Sequence, residues 1–222
     1  MSTALMIIEF IGVISFSIAG AIVAIDKEND IMGVLFLSVI TTFGGGMIRD
    51  VFIGNTPPVF FRRSSLYLVI ACLVAAIVVF VLAAIFKKQY LEEERTVRAI
   101  NNYFDAIGLG VFVVFGAKIC IDSGYTNPFL VIVMGMVSGT LGSMTRDIIV
   151  REIPILLVKR IYLVAALAGA SLYYVLFYFG VPDYISTPVA ALLITAIRIM
   201  ATVCNLNLPK AIKFSEINGR QE

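Results

Sequence analysis

Seven stretches of the chain are almost wholly apolar, near residues 5–25, 31–54, 66–86, 102–122, 128–150, 160–180 and 185–204. Each is about as long as the 20 or so residues a helix needs to cross hydrocarbon. Polar residues gather between the runs. One connection is both long and polar, "FKKQYLEEERTVRAINN" (86–102), which predicts a solvated loop or a short surface helix. The pattern predicts an all-α integral membrane protein with seven transmembrane helices. A β-barrel would show short alternating segments instead. The first run has no basic flank and no small-residue cleavage pattern, so it reads as a retained helix, not a signal peptide.

Composition agrees. The chain has 222 residues, 60% hydrophobic and 14% charged, with a mean hydropathy of +0.98, far too apolar for a soluble domain of this size. Histidine is absent, which removes the commonest metal ligand and acid–base group. Cys72, Cys120 and Cys204 lie in separate apolar runs and form no CxxC pair, so they read as small buried hydrophobes. With no metal cluster and no nucleophile–base motif, an enzyme is not expected. Membrane lipids are the implied surroundings; no cofactor, metal or nucleic-acid partner is predicted. Tryptophan is absent, so Tyr67, Tyr90, Tyr103, Tyr125, Tyr162 and Tyr184 must supply any interfacial belt.

Basic residues in the connections set the expected orientation. The side of the N-terminus holds only Arg62 and Arg63. The other side holds Lys27, Lys87, Lys88, Arg95, Arg98, Arg151, Lys159, Arg160, Lys210, Lys213 and Arg220. This predicts a multi-pass cell-membrane protein with its N-terminus outside and its C-terminus in the cytoplasm.

The chain also repeats itself. "FIGVISFSIAGA" (10–21) aligns with "AIGLGVFVVFGA" (106–117), matching Gly12 with Gly108, Phe16 with Phe112 and Gly20 with Gly116. "GGMIRDVFIGNTPPVFFRRSSL" (45–66) aligns with "GSMTRDIIVREIPILLVKRIYL" (142–163), matching Gly45, Arg49, Asp50 and Pro57 with Gly142, Arg146, Asp147 and Pro154. Gly, Pro, Arg and Asp recurring in one order indicate a duplication. The unit holds three helices, an odd number, so the second copy enters the membrane from the opposite face. The halves form an inverted-topology repeat. The predicted plan is 1–86 for the first repeat, 87–101 for a cytoplasmic connection, 102–180 for the second repeat, 181–204 for a seventh helix and 205–222 for a cytoplasmic tail.

Glycines and charges inside the runs carry the candidate chemistry. Gly44, Gly45 and Gly46, and in the second copy Gly139 and Gly142, fall near the bilayer midplane. Each costs a helix about 1 kcal/mol relative to alanine. Close helix packing is one reading. The other is a bend or break whose freed carbonyls line a polar path, with Thr41, Thr42, Ser138, Thr140 and Ser143 beside it. On the second reading, alanines at 44–46 should straighten the helix, with a gain in stability and a loss of conduction. At 1.5 Å per residue, Glu9 and Arg49 lie at one depth, as do Asp105 and Arg146, which predicts the pairs Glu9–Arg49 and Asp105–Arg146. Asp50 and Asp147 point about 100° away from their arginines, toward other partners or the vestibules. Lys118 has no counterpart in the first half and is a candidate gate; snorkelling is the alternative. Arg198 has no partner evident in the sequence.

GGGxxRDxxxGxxP on a second helix, a degenerate copy on a fifth and a 3+3+1 plan resemble the prokaryotic relatives of the trimeric intracellular cation (TRIC) channels. That sequence family also includes bacterial proteins described as glycine transporters. The resemblance covers about the first two hundred residues, and "GGGMIRDVFIGNTPP" (44–58) is its specific motif. It implies a homotrimer with one pore per protomer, permeable to K+ and Na+, bent at Gly44–Gly46 and at Gly139 and Gly142. Small-residue faces such as "AALAGAS" (165–171) suit the trimer. Inverted repeats serve carriers equally well, so a secondary transporter for a small neutral amino acid such as glycine stands beside the channel.

Overall fold

In the computed structural model, which describes residues 3–158 and 161–204, each apolar run is a helix. The elements are α1 (Thr3–Asp26), α2 (Ile31–Phe52), α3 (Leu66–Ile85), α4 (Lys87–Glu92), α5 (Glu94–Asp122), α6 (Pro128–Ile149), α7 (Ile155–Val158), α8 (Ile161–Tyr178) and α9 (Asp183–Val203). Among the described residues there is no strand, and seven helices are long and apolar enough to cross a membrane. Lys159, Arg160 and the tail 205–222 lie outside the described residues.

Local chemistry sets the ends. Asp30 caps α2 by accepting the Gly33 N–H at 2.8 Å, and Asn127 caps α6 by accepting the Leu130 N–H at 3.2 Å, with Pro128 in the first turn. The C-termini of α2 and α6 close alike. Gly54 and its counterpart Arg151 both take positive φ, and the Asn55 and Glu152 amides donate back to the Asp50 and Asp147 carbonyls at 2.8 and 2.9 Å. The polar connection differs from a simple loop. After short α4, its second half is already α5, which begins eight residues before the apolar run. That extension puts Val97, Arg98, Asn101 and Asn102 on a helix next to the bundle.

The two halves meet through equivalent elements. α1 packs on α5 and α2 on α6, while α3 lies against α1 and α2 as α8 lies against α5 and α6. Phe16 and Phe112, equivalent in the repeat, stack with centroids 5.2 Å apart and planes 7° from parallel. α9 packs on α5 and α8, outside the repeat. One apolar core runs through both halves and includes Phe43, Phe60, Leu109, Met134, Tyr162 and Ile194. Below, the end of the bundle where α1 starts is the near side, and the end where α1 stops is the far side.

Candidate functional site

The repeat axis passes through the crossing of α2 and α6, and the glycines make that crossing. A methyl built on Gly45 would enter the Ser138 carbonyl oxygen and stand 2.9 Å from the Val137 oxygen. A methyl on Gly142 would enter the Thr41 carbonyl oxygen and stand 3.2 Å from the Ile40 oxygen. The contact is reciprocal, because Thr41 and Ser138 are themselves equivalent positions. Gly46 gives its place to the Phe60 ring, 2.6 Å from where a Cβ would stand. A methyl built on Gly139 would stand 3.0 Å from the Val113 backbone nitrogen. α2 and α6 run as continuous helix through their glycines, so of the bend-or-break reading the break is not formed. Their carbonyls stay in the helical ladder, and the backbone approach of one helix to the other explains why no side chain is present. At Gly45 and Gly142 the expected gain in stability from alanine therefore becomes an expected loss.

The hydroxyls beside the glycines are committed too. Thr41 and Thr42 donate to the Leu37 and Ser38 carbonyls at 2.6 and 2.8 Å, and Thr140 to that of Met136 at 2.8 Å. Such bonds, four residues back, bend a helix slightly. Ser143 donates to the Thr140 carbonyl at 3.0 Å and lies 3.0 Å from the Tyr162 hydroxyl. Ser138 accepts from Arg49 Nη1 at 3.0 Å, joining the two halves across the crossing.

The buried charges pair differently from the depth argument. Arg49, fully buried, binds Asp50, its neighbour in sequence, through Nε at 2.9 Å and Nη2 at 2.7 Å. The predicted Glu9–Arg49 ion pair is not formed; Glu9 is 8% exposed on α1. The guanidinium is long enough to curl back over the adjacent carboxylate, which outweighs the 100° between their Cβ directions. The second half repeats this, with Arg146 Nε 2.9 Å from Asp147. The predicted Asp105–Arg146 pair survives only as a 4.0 Å approach, because Asp105 is engaged by Arg198 Nη2 at 3.3 Å. Arg198 therefore has a partner, and its guanidinium also stacks over the Tyr162 ring at 4.3 Å. Lys118 is anchored on the near side by Asp183 at 2.6 Å and Asp122 at 3.0 Å, with Tyr173 donating to Asp183 at 3.0 Å. Phe60 and Asp183 were not singled out from sequence, and Tyr162, expected in an interfacial belt, is buried in the core instead. The Pro-rich "NTPPVFF" loop was the available signal for Phe60.

A cavity of about 970 Å³ opens on the far side between the ends of α1, α3, α5 and α6. Its wall includes Asp26, Lys27, Arg98, Asn101, Asp147 and Glu152. Lys27 forms an ion pair with Glu152 across it, and this holds the Glu152 carboxyl below its usual range. Burial, and the Tyr90 hydrogen bond to Asp26 at 2.8 Å, push the Tyr90 phenol up. Among the described residues no His/Cys/Asp/Glu group could hold a metal ion.

Comparison with known proteins matches the plan. The family profile described as "Glycine transporter" matches residues 6–84 and 102–178, one segment in each repeat. A UPF0126 membrane protein of Deinococcus radiodurans is 39% identical over 166 residues, 74% of this chain and 72% of its own. The Escherichia coli inner membrane protein YadS is 30% identical over 203 residues, 91% of this chain and 93% of its own. Among solved structures, a TRIC trimeric intracellular cation channel orthologue from Rhodobacter sphaeroides superposes with a TM-score of 0.80 at 32% identity, covering 92% of this chain and 100% of that one. A prokaryotic TRIC channel crystallised in 0.5 M KCl superposes with a TM-score of 0.82 at 33% identity, covering 94% and 100%. The solved relatives are channels, not enzymes.

Proposed function

The chain belongs to the family described as glycine transporters, and we propose that it forms a passive path for monovalent cations, K+ and also Na+, through each protomer of a homotrimer. The observation that carries this reading is full-length superposition on channels named for cation conduction, at sequence identity above 30%. The path follows the α2–α6 crossing, beside which buried cations and anions are matched: Arg49 with Asp50 on α2, Arg146 with Asp147 on α6, and Arg198 on α9 with Asp105 on α5. Paired charges lower the cost of carrying polar groups through hydrocarbon. In the cell membrane the near side faces out and the far side, with its excess of Lys and Arg, faces the cytoplasm.

A second reading, a carrier for a small neutral amino acid, is favoured by the family's description. Proteoliposomes separate the two. K+ efflux that does not saturate and needs no counter-substrate supports the path. Saturable glycine counterflow without K+ efflux supports the carrier.

A further inference from the structure

The two ends of the inverted repeat are not in the same state. On the near side the 53–62 segment folds inward, and Phe60 is only 5% exposed. Its ring lies 4.4 Å from Phe43 and 6.4 Å from Phe112, centroid to centroid, and occupies the space left by Gly46. Asp50 ties the segment down: Oδ2 accepts the Val59 N–H at 2.8 Å, while Oδ1 holds Arg49. On the far side Ser143 replaces Gly46, and Leu157, in the place of Phe60, is 59% exposed. The far-side turn lines the 970 Å³ cavity through Glu152 and Ile153.

Polar groups lead inward from that cavity. Asn101 lines it, and its Oδ1 is buried without a hydrogen-bond partner. One turn deeper on the same face of α5 is Asp105, whose Oδ1 also lacks a hydrogen bond, as do Arg146 Nη1 and Arg198 Nε. Buried polar atoms are normally bonded, and the 4.0 Å between Arg146 Nη1 and Asp105 Oδ1 is a span one water can bridge. The far half thus offers a hydratable route as far as the crossing. The near half ends on three aromatic rings.

We propose that Phe60 is the near-side gate of the cation path. Seated on Gly46 it forms a hydrophobic constriction, and release of the Asp50–Val59 bond lets the 53–62 segment lift and water enter. This rests on the cation-path reading, but it has a readout of its own.

The test uses full-length protein in vesicles. Phe60→Ala should raise K+ flux well above the parent. Gly46→Ala, which displaces the ring but keeps it, should raise flux less, and Phe60→Leu should stay close to the parent. Independently, in a Cys204→Ser background, Asn101→Cys should react with a small membrane-impermeant thiol reagent from the far side only. Adding Phe60→Ala should open it to reagent from the near side. Near-side access that appears without K+ flux upholds the gate and overturns the cation reading. Near-side labelling in the parent as fast as with Phe60→Ala overturns the gate. So does unchanged flux and labelling in both Phe60→Ala and Gly46→Ala.

Discussion

Gly45→Ala is the sharpest perturbation of the helix crossing. The new methyl would stand 2.9 Å from both the Val137 oxygen and the Ser138 carbonyl carbon, and nearer still to the Ser138 oxygen. Ordinary contact begins at 3.4 Å, so α2 and α6 must part by at least 3.4 − 2.9 = 0.5 Å. The obstacle is backbone, which cannot swing aside as a side chain can. Parting stretches the 3.0 Å bond from Arg49 to Ser138 toward 3.5 Å, past useful geometry. Overpacking costs about 1–3 kcal/mol, and the weakened charged bond costs roughly 1.5–3 kcal/mol. Better helix propensity returns about 1 kcal/mol. The net is a loss of about 1.5–5 kcal/mol, a fall in melting temperature of roughly 3–20 °C for a chain of this length. Gly142→Ala should behave alike, since its methyl meets the Thr41 carbonyl. Gly44→Ala is the control: its nearest neighbour is the Gly142 Cα at an ordinary 3.5 Å, so propensity should make it neutral or stabilising by up to about 1 kcal/mol. Thermal unfolding of the three variants in one detergent measures the order. If Gly45→Ala melts at or above Gly44→Ala, the glycines do not set the helix approach.

Arg49→Ala should cost about 3–5 kcal/mol because it strands the buried Asp50 carboxylate, and adding Asp50→Ala should recover part of that; Glu9→Ala, which removes no direct ion pair with Arg49, should couple to Arg49→Ala more weakly than Asp50→Ala does, which denaturation of the single and double variants tests. Arg198→Ala should destabilise by a similar amount, about 3–5 kcal/mol, and should couple to Asp105→Ala, where simple additivity would reject the pair. The Lys27–Glu152 pair gives a pH dependence: with the Glu152 pKa lowered in the folded state, its stabilisation is present at neutral pH and fades as pH falls through and below the ordinary glutamate range. Lys27→Met should flatten that part of the stability–pH profile, and an unchanged slope would show that the pair contributes nothing.

The seven helices were legible because length and hydropathy alone specify a membrane span, and the duplication because Gly, Arg, Asp and Pro recur in order. The pairing of charges was only half legible. Depth along a helix is read from residue count, but whether Arg49 reaches Glu9 on α1 or curls onto Asp50 depends on side-chain conformation and on Ser138, 89 residues away. Arg198 looked unpartnered because its acid, Asp105, lies on α5, and only the packing of α9 against α5 joins them. The cost of three consecutive glycines was visible, but its cause was not. A break and a close backbone crossing leave the same mark in sequence, and only the position of α6 decides between them. Phe60 was hidden for another reason: an apolar residue in a loop among seven membrane-length runs carries no contrast.

The account's central claim is that a cation-selective path runs through each protomer, and single-channel recording of the purified protein in a planar bilayer under a KCl gradient tests it most directly. The account predicts discrete ohmic steps whose reversal potential lies toward the K+ equilibrium potential, enlarged in open time by Phe60→Ala. Its contradiction would be a bilayer loaded with folded protein that shows no steps, with or without that substitution, while the same preparation exchanges glycine in vesicles.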